Sequence, residues 1–267
     1  MKCIIIYIII LFFILFFIFY KKKEGFEQKC LIVLYGESFR EGTQRTRLRD
    51  TDTSYKTQMM ACDSHLKFIQ MLKDKYNIDS DVSISTYTTK YENELKERYK
   101  HQKVFYKSED NVIGVIEIAN KGIQNIDITN YKFIIFTRND ILFKDEFINN
   151  FKEYDKISYV SQEFTFQDCF KDGNPMVNPI IMFVPHKYFS IINDINVDHT
   201  SWKNLNNNNG LSKNDLNFML DTYHDADSYK DWNPYYKMVG RHENDIWVDK
   251  DTPNIFLEKN ECYTKVD

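Results

Sequence analysis

The chain has 267 residues, with 35 basic and 39 acidic side chains and a formal net charge of −4. That balance supplies no basic patch of the kind nucleic acid requires, so nucleic acid is excluded as an expected partner. Cys30, Cys62, Cys169 and Cys262 are widely scattered and match neither a zinc motif nor a dense disulfide framework.

The first predicted element is an uninterrupted apolar and aromatic run of eighteen residues, Cys3 to Tyr20, followed by Lys21-Lys22-Lys23. At about 1.5 Å per residue it spans roughly 27 Å, enough for a hydrocarbon core. No small-residue cleavage pattern follows it, which favours an uncleaved anchor over a signal peptide. The expected organisation is an anchor over 1–23, a short stem over 24–29, one domain over 30–248 and a tail over 249–267. The expected location is therefore a membrane, crossed once. The chain contains no Asn-x-Ser/Thr sequon, which leans toward a domain that never meets the glycosylation machinery.

Beyond the anchor the pattern alternates strands with helices. Leu31 to Tyr35 is a short apolar run ending at Gly36, as expected for a strand buried on both faces. A polar, arginine-rich loop follows, to about Tyr55. Met59, Cys62, Leu66, Ile69, Leu72 and Tyr76 then recur at spacings of three and four, one stripe of a long helix. Val82, Ile84 and Thr86 alternate as a strand, and Tyr91, Leu95 and Tyr99 mark a short helix. Val104 to Tyr106 is the next strand, and a helix carries Val112 to Ile123 with Gly122 near its end. Phe133 to Thr137 is a second doubly buried strand, with a helix starting near Lys144. Ile157 to Val160 and Ile180 to Val184 are further strands, Pro179 standing at the start of the latter. Ser212 suits the N-cap of a helix carrying Leu216, Met219, Leu220 and Tyr223. This order implies an α/β fold, a mostly parallel Rossmann-like sheet flanked by helices.

Ligands of such sheets bind beyond the carboxyl ends of the strands. Two segments there carry chemistry. Gly36 to Arg47 holds two glycines that permit close backbone approach and arginines, Arg40 and Arg45 with Gln44 between them, suited to a diphosphate. It contains neither the dinucleotide fingerprint nor a Walker loop. The competing reading is a surface loop whose arginines pair with Glu37, Glu41, Asp50 and Asp52. In the second segment, Thr137-Arg138-Asn139-Asp140, residues 138 and 140 point the same way from an extended chain. They offer a guanidinium for phosphate and a carboxylate for a hard divalent cation. The competing reading is a polar strand end. Further on, Asp215, His242 and Glu243 are candidates for taking a proton from a hydroxyl. Trp232 and Tyr235 are candidates for stacking on a sugar or for the core. His224, Asp225 and Asp227 are metal-ligand types without a metal spacing.

A strand leading into Thr-Arg-Asn-Asp-Ile resembles a segment of some GT-A-like glycosyltransferases, those of capsule and lipopolysaccharide synthesis and their relatives in large DNA viruses. The resemblance implies a nucleotide-sugar donor near Tyr35 to Arg45, with Gly36, Arg40, Gln44 and Arg45 lining it and Arg138 on the donor phosphates. Asp140 would approach a divalent metal, Mn or Mg, or the ribose. It also implies a glycan or glycoprotein acceptor and, given the anchor, a host endomembrane or virion membrane. The chain departs from the family pattern in having Arg-Asn-Asp in place of Asp-x-Asp. Two other classes fit the residues: a catalytically inactive glycan-binding or structural membrane protein, and another nucleotide-dependent transferase such as a sulfotransferase.

Overall fold

The computed structural model describes residues 11–13, 16, 28–41, 48–110, 114–164, 176–192, 200–201, 211, 213–220, 223–225 and 235–239. Its first half runs β1 (Lys29–Tyr35), β2 (Arg40–Glu41), β3 (Leu48–Arg49), α1 (Asp52–Tyr76), β4 (Asp79–Tyr87), α2 (Glu92–Arg98), β5 (Lys103–Glu109) and α3 (Val115–Lys121). Then come β6 (Phe133–Arg138), β7 (Ile141–Phe143), α4 (Asp145–Asn150), β8 (Ile157–Phe164), β9 (Met176–Pro185), β10 (Thr200–Ser201), β11 (Leu216–Phe218), β12 (Tyr223–Asp225) and β13 (Tyr236–Met238).

Among the described residues nine strands form one sheet, in the order β11-β8-β9-β6-β1-β4-β5, with β10 beside β9 and β12 beside β8. β6, β1, β4 and β5 are mutually parallel. β9 runs antiparallel between β6 and β8, while β11 and β12 run parallel to β8. The result is a mixed, mostly parallel α/β sheet, in keeping with the expected fold class.

The unbroken apolar runs of β1 and β6 have a direct physical meaning, because both faces of the sheet are covered. Cys30, Ile32, Leu34, Phe133 and Ile135 pack on one face with Phe68, Leu72 and Phe147 of α1 and α4. Leu31, Val33, Tyr35, Ile134 and Phe136 pack on the other with Ile118 and Ala119 of α3 and with Tyr188 and Phe189. Burying each such side chain contributes about 1.5–3 kcal/mol. Gly122 stands at the end of α3 for clearance: a Cβ there would lie 2.5 Å from Cγ1 of Val33.

α1 starts at Asp52, seven residues before the first position of its predicted stripe. A capping box explains the early start: Thr51 Oγ1 accepts from Ser54 N–H at 3.1 Å and Ser54 Oγ from Thr51 N–H at 2.9 Å. Asn77 ends the helix in the left-handed conformation, φ 53°. The buried face also differs from the predicted stripe. Cys62, Ile69 and Leu72 are buried as expected, but so are Gln58 and His65.

The expected helix over Leu216 to Tyr223 is not formed. Lys213–Asp215 is a single 3-10 turn, Leu216–Phe218 is β11 and Tyr223–Asp225 is β12. The open edge of β8 supplies backbone partners along both segments, and pairing there outweighs a weak helical spacing. Ser212, its expected cap, lies outside the described residues. Pro179 sits inside β9, not at its start. Tyr159 faces Met182 but Ser161 faces Asn178, so the register shifts by two residues across Pro179. A bulge is where a residue without an N–H is tolerated.

The expected anchor lies mostly outside the described residues, as do the stem, apart from Gln28 and Lys29, and the tail. Among the described residues no helix is long and apolar enough to cross a membrane. Leu11, Phe12, Phe13 and Phe16 are helical and each is more than half exposed.

Candidate functional site at the strand switch point

From β1 the chain crosses to β4 and then β5 on one side, and returns to β6 on the other side of β1. The segments that leave the carboxyl ends of β1 and β6 lie side by side at the end of the sheet where open α/β sheets bind ligands. Tyr35 and Arg138, which end the two strands, are register partners. Residues 36–41 with 48–50 form one wall of this end, and residues 139–143 form the other.

The first wall is a tightly held, left-handed backbone. Gly36 has φ +90° with open space around it, and its N–H donates to Ser85 C=O at 3.1 Å. Phe39 (φ 51°) and Asp50 (φ 61°) are also left-handed, which for a bulky residue such as Phe39 is a strained conformation. Burial offsets the strain: Phe39 is fully buried, with its ring centroid 5.0 Å from Tyr91 and 6.0 Å from Tyr55. Asp50 N–H donates to Phe39 C=O at 2.9 Å, closing the short β2–β3 hairpin. The Asp50 carboxylate takes the Thr89 hydroxyl and the Lys90 N–H. Arg40, expected on a diphosphate, is buried in this wall and ion-paired with Glu37 at 3.1 Å. Gln44 and Arg45 lie outside the described residues.

A single side chain clasps the two walls together. Gln58 of α1 accepts from Phe39 N–H at 3.1 Å and donates to Asn139 C=O at 2.8 Å. Asn139 adds its own links, N–H to Tyr35 C=O at 2.8 Å and Nδ2 to Gly36 C=O at 3.0 Å. Two turns along α1 from Gln58, His65 Nε2 lies 2.6 Å from Ile141 C=O and Nδ1 lies 2.8 Å from Tyr99 OH. A carbonyl only accepts, so Nε2 carries the proton and Tyr99 donates to Nδ1. Burial pushes His65 down to about 4, with smaller upward pulls from the Ile141 hydrogen bond and from Asp140. Ser64 Oγ accepts from Phe143 N–H at 2.9 Å. Gln58, Ser64 and His65 thus hold the second wall from below. Their one sequence signal was the presence of polar residues among apolar helix positions.

At the end of β6, Arg138 Nε and Nη2 donate to Asp140 Oδ1 and Oδ2, each at 2.8 Å. The two residues do point the same way, as the extended spacing requires, and they engage each other. Asp140 is 2 % exposed while the Arg138 side chain remains 20 % exposed. Beneath them Ser85 Oγ, Thr137 Oγ1, Asn139 Oδ1 and Ser161 Oγ are buried without a hydrogen-bond partner among the described residues.

The remaining candidates divide. Asp215 accepts from Tyr188 OH at 2.9 Å. Its neighbour Leu216 pairs with Ile157 at the start of β8, and Tyr188 follows the end of β9, whose Pro185 pairs with Phe133 at the start of β6. Asp215 therefore stands at the amino-terminal end of the sheet, away from Arg138. His242 and Glu243 lie outside the described residues. They follow β13, which pairs antiparallel with β7, and Val239 N–H donates to Asp140 C=O at 2.8 Å. Tyr235 packs on Phe147 at 5.7 Å and its C=O accepts from Lys144 N–H. Trp232 and Asp227 lie outside the described residues. His224 and Asp225 belong to β12, beside the carboxyl end of β8.

No protein-family model matches the chain, and no curated protein matches it. Among solved structures it is similar to TarS of S. aureus, with 14% identity, a TM-score of 0.41 and coverage of 86% of this chain and 62% of that one. A putative nucleotide-diphospho-sugar transferase from Desulfovibrio desulfuricans shows 13% identity and a TM-score of 0.40, covering 90% and 98% of the two chains. A Drosophila β-1,4-galactosyltransferase 7, in complex with manganese, UDP-Gal and xylobiose, shows 11% identity and a TM-score of 0.33, covering 61% and 51%. The chain spans about half the length of the Drosophila structures it matches.

Proposed function

We propose that this protein is a glycosyltransferase that moves a sugar from a nucleotide-sugar donor to a hydroxyl of a glycan or glycoprotein. The observation that carries the reading is the carboxyl end of β1 and β6 at the switch in strand order, with left-handed backbone at Gly36, Phe39 and Asp50 on one side and the partly exposed Arg138 on the other. Such a strand end suits a nucleotide, and a guanidinium suits its phosphates.

The reading needs a group that takes the proton of the acceptor hydroxyl. His242 and Glu243 are favoured over Asp215. Val239 is hydrogen-bonded to the Asp140 backbone, and three or four residues reach at most about 10–14 Å. A divalent cation would neutralise charge on the leaving diphosphate. The described residues do not fit one: both Asp140 oxygens are engaged by Arg138, and no three His, Cys, Asp or Glu converge among the described residues. The reading also includes a single N-terminal membrane anchor, at a host endomembrane or virion membrane. The exposed apolar side chains of Leu11, Phe12, Phe13 and Phe16 support it, since such a face calls for a non-aqueous partner.

The test is a thermal-shift screen of the detergent-solubilised full chain against UDP, GDP, CMP and their sugar conjugates. A ligand of the native state at a hundred times its Kd stabilises by about 2.7 kcal/mol. A shift with one nucleotide and its sugar conjugates names the donor class. A folded sample that responds to none of them removes the proposal.

A further inference from the structure

We infer that the amino-terminal end of the parallel strands is a membrane-docking surface, resting on the phospholipid headgroups of the bilayer that holds the anchor and turning the carboxyl end away from it. This rests on the membrane-anchor part of the proposed reading and adds how the domain stands on the bilayer.

Chain length is the first reason. The apolar run ends at Tyr20 and β1 begins at Lys29, so Lys21 to Gln28 join them. Those eight residues reach at most about 29 Å. β1 has seven residues and is itself about 23 Å long. To bring the carboxyl end of β1 down to the bilayer, nearly all of the joining residues would have to run straight along the side of the domain. The amino-terminal end needs no such stretch, because the chain enters the domain there.

The side chains at that end are the second reason. Lys75 lies over the Tyr76 ring at 5.3 Å, Lys152 over Tyr154 at 5.7 Å and Lys187 over Tyr188 at 4.9 Å. All three lysines are exposed. Backbone links gather them around the point of entry. Asp79 N–H, just beyond α1, donates to Gln28 C=O at 2.8 Å, Lys132 N–H to Lys29 C=O at 2.8 Å, and His186 N–H to Lys132 C=O at 3.0 Å. Tyr76 OH donates to Phe151 C=O, which brings Lys152 and Tyr154 to the same end. Lysine and tyrosine are residues of membrane interfaces, where the stem or ring meets apolar matter and the polar tip reaches the headgroups. Among the described residues the carboxyl end of the parallel strands has one such pair, Lys90 with Tyr91.

Charge fits the same partner. Asp79, Asp81 and Glu153 are ion-paired with Lys73, Lys29 and Lys132, which leaves Lys75, Lys152 and Lys187 to face outward. Lys21-Lys22-Lys23 adds a basic flank beside the anchor, the pattern drawn to anionic lipid. Asp74 and Asp155 share this end, so the match is to headgroups that carry a phosphate and an ammonium together.

The experiment places the full chain in nanodiscs of phosphatidylcholine and phosphatidylserine doped with a phospholipid whose headgroup bears a diazirine, and maps the crosslinked peptides after irradiation. The expected result is crosslinking within 73–77, 152–156 and 186–188 that exceeds crosslinking within 36–41, 86–91 and 138–143 by about fivefold or more. Lys75→Glu, Lys152→Glu and Lys187→Glu combined, all at exposed positions, should cut the first set about fivefold and leave crosslinks to 21–27 unchanged. Crosslinks confined to 21–27, or richest in the carboxyl-end peptides, overturn the inference and leave the anchor standing. A folded chain that does not co-elute with the discs removes anchor and inference together, and leaves the glycosyltransferase reading to its own nucleotide test. The wild-type pattern decides without any variant.

Discussion

The two ends of the parallel strands use similar residues in opposite ways. At the amino-terminal end Asp81 is closed in by its neighbours, accepting from Lys29 at 2.9 Å and from Tyr131 OH at 2.7 Å, while His186 N–H and Nδ1 bond to the backbone of Lys132 and Tyr131. At the carboxyl end an acid and a base pair again, Asp140 with Arg138, but around them the backbone turns left-handed at Gly36, Asp50 and the bulky Phe39, whereas the amino-terminal end does so at Asn77 and Asn125, a residue type that tolerates it. The buried hydroxyls and amide oxygen of Ser85, Thr137, Ser161 and Asn139 lack a described partner at the carboxyl end. Buried polar groups are nearly always satisfied, and strained backbone clusters where function needs it. One end has the character of a scaffold, the other that of a site.

Four measurements break or sharpen that contrast. The largest effect is expected from Gln58→Ala, which strips a partner from Phe39 N–H and Asn139 C=O. Two stranded groups at ~1–3 kcal/mol each imply a loss of about 4 kcal/mol in denaturant unfolding. A loss below about 1 kcal/mol would mean that the walls hold each other without the clasp.

Next comes pH. His65 sits near 4 in the fold against about 6.5 unfolded, so below the unfolded value the unfolded chain binds more protons. Its contribution is fully present above pH 6.5 and is lost as pH falls toward 4, on the order of 3 kcal/mol. Unfolding curves of wild type and His65→Gln should converge in slope outside that window and differ within it. Identical pH profiles would show that His65 is not the buried neutral base described.

Lys29→Ala tests the other end. Removing the partner of Asp81 should cost about 2 kcal/mol, less than stranding a wholly buried charge because Lys29 is 24 % exposed. It should leave any nucleotide-induced thermal shift as in wild type; a lost shift would dissolve the distinction between scaffold and site. The smallest effect belongs to Gly36→Ala. No atom lies within 4 Å of the added methyl, so only the +90° φ resists it, costing about 1 kcal/mol. A neutral result would show that the first wall relaxes freely.

Much of this was legible from local pattern. β1, β6 and β9 declared themselves as apolar runs without a polar face. The spacing of Arg138 and Asp140 put them on one side, correctly, but not in each other's grasp. Gln58 and His65 escaped because a polar residue on a buried helix face is explained only by partners 81 and 76 residues away. Leu216 to Tyr223 was misread because its apolar spacing fits a helix as well as two short strands, and the open edge of β8 decided between them.

By itself, then, the sequence determined which strands are buried on both faces, where α1 runs, and that a guanidinium and a carboxylate stand together after β6. Those follow from hydrophobic period and side-chain direction, which are properties of neighbouring residues. Only the tertiary structure decided the strand order that sets β6 beside β1, the exile of Asp215 to the opposite end and the commitment of Asp140 to Arg138. Each of these is a pairing between distant segments, settled by which polar groups burial leaves in need of a partner.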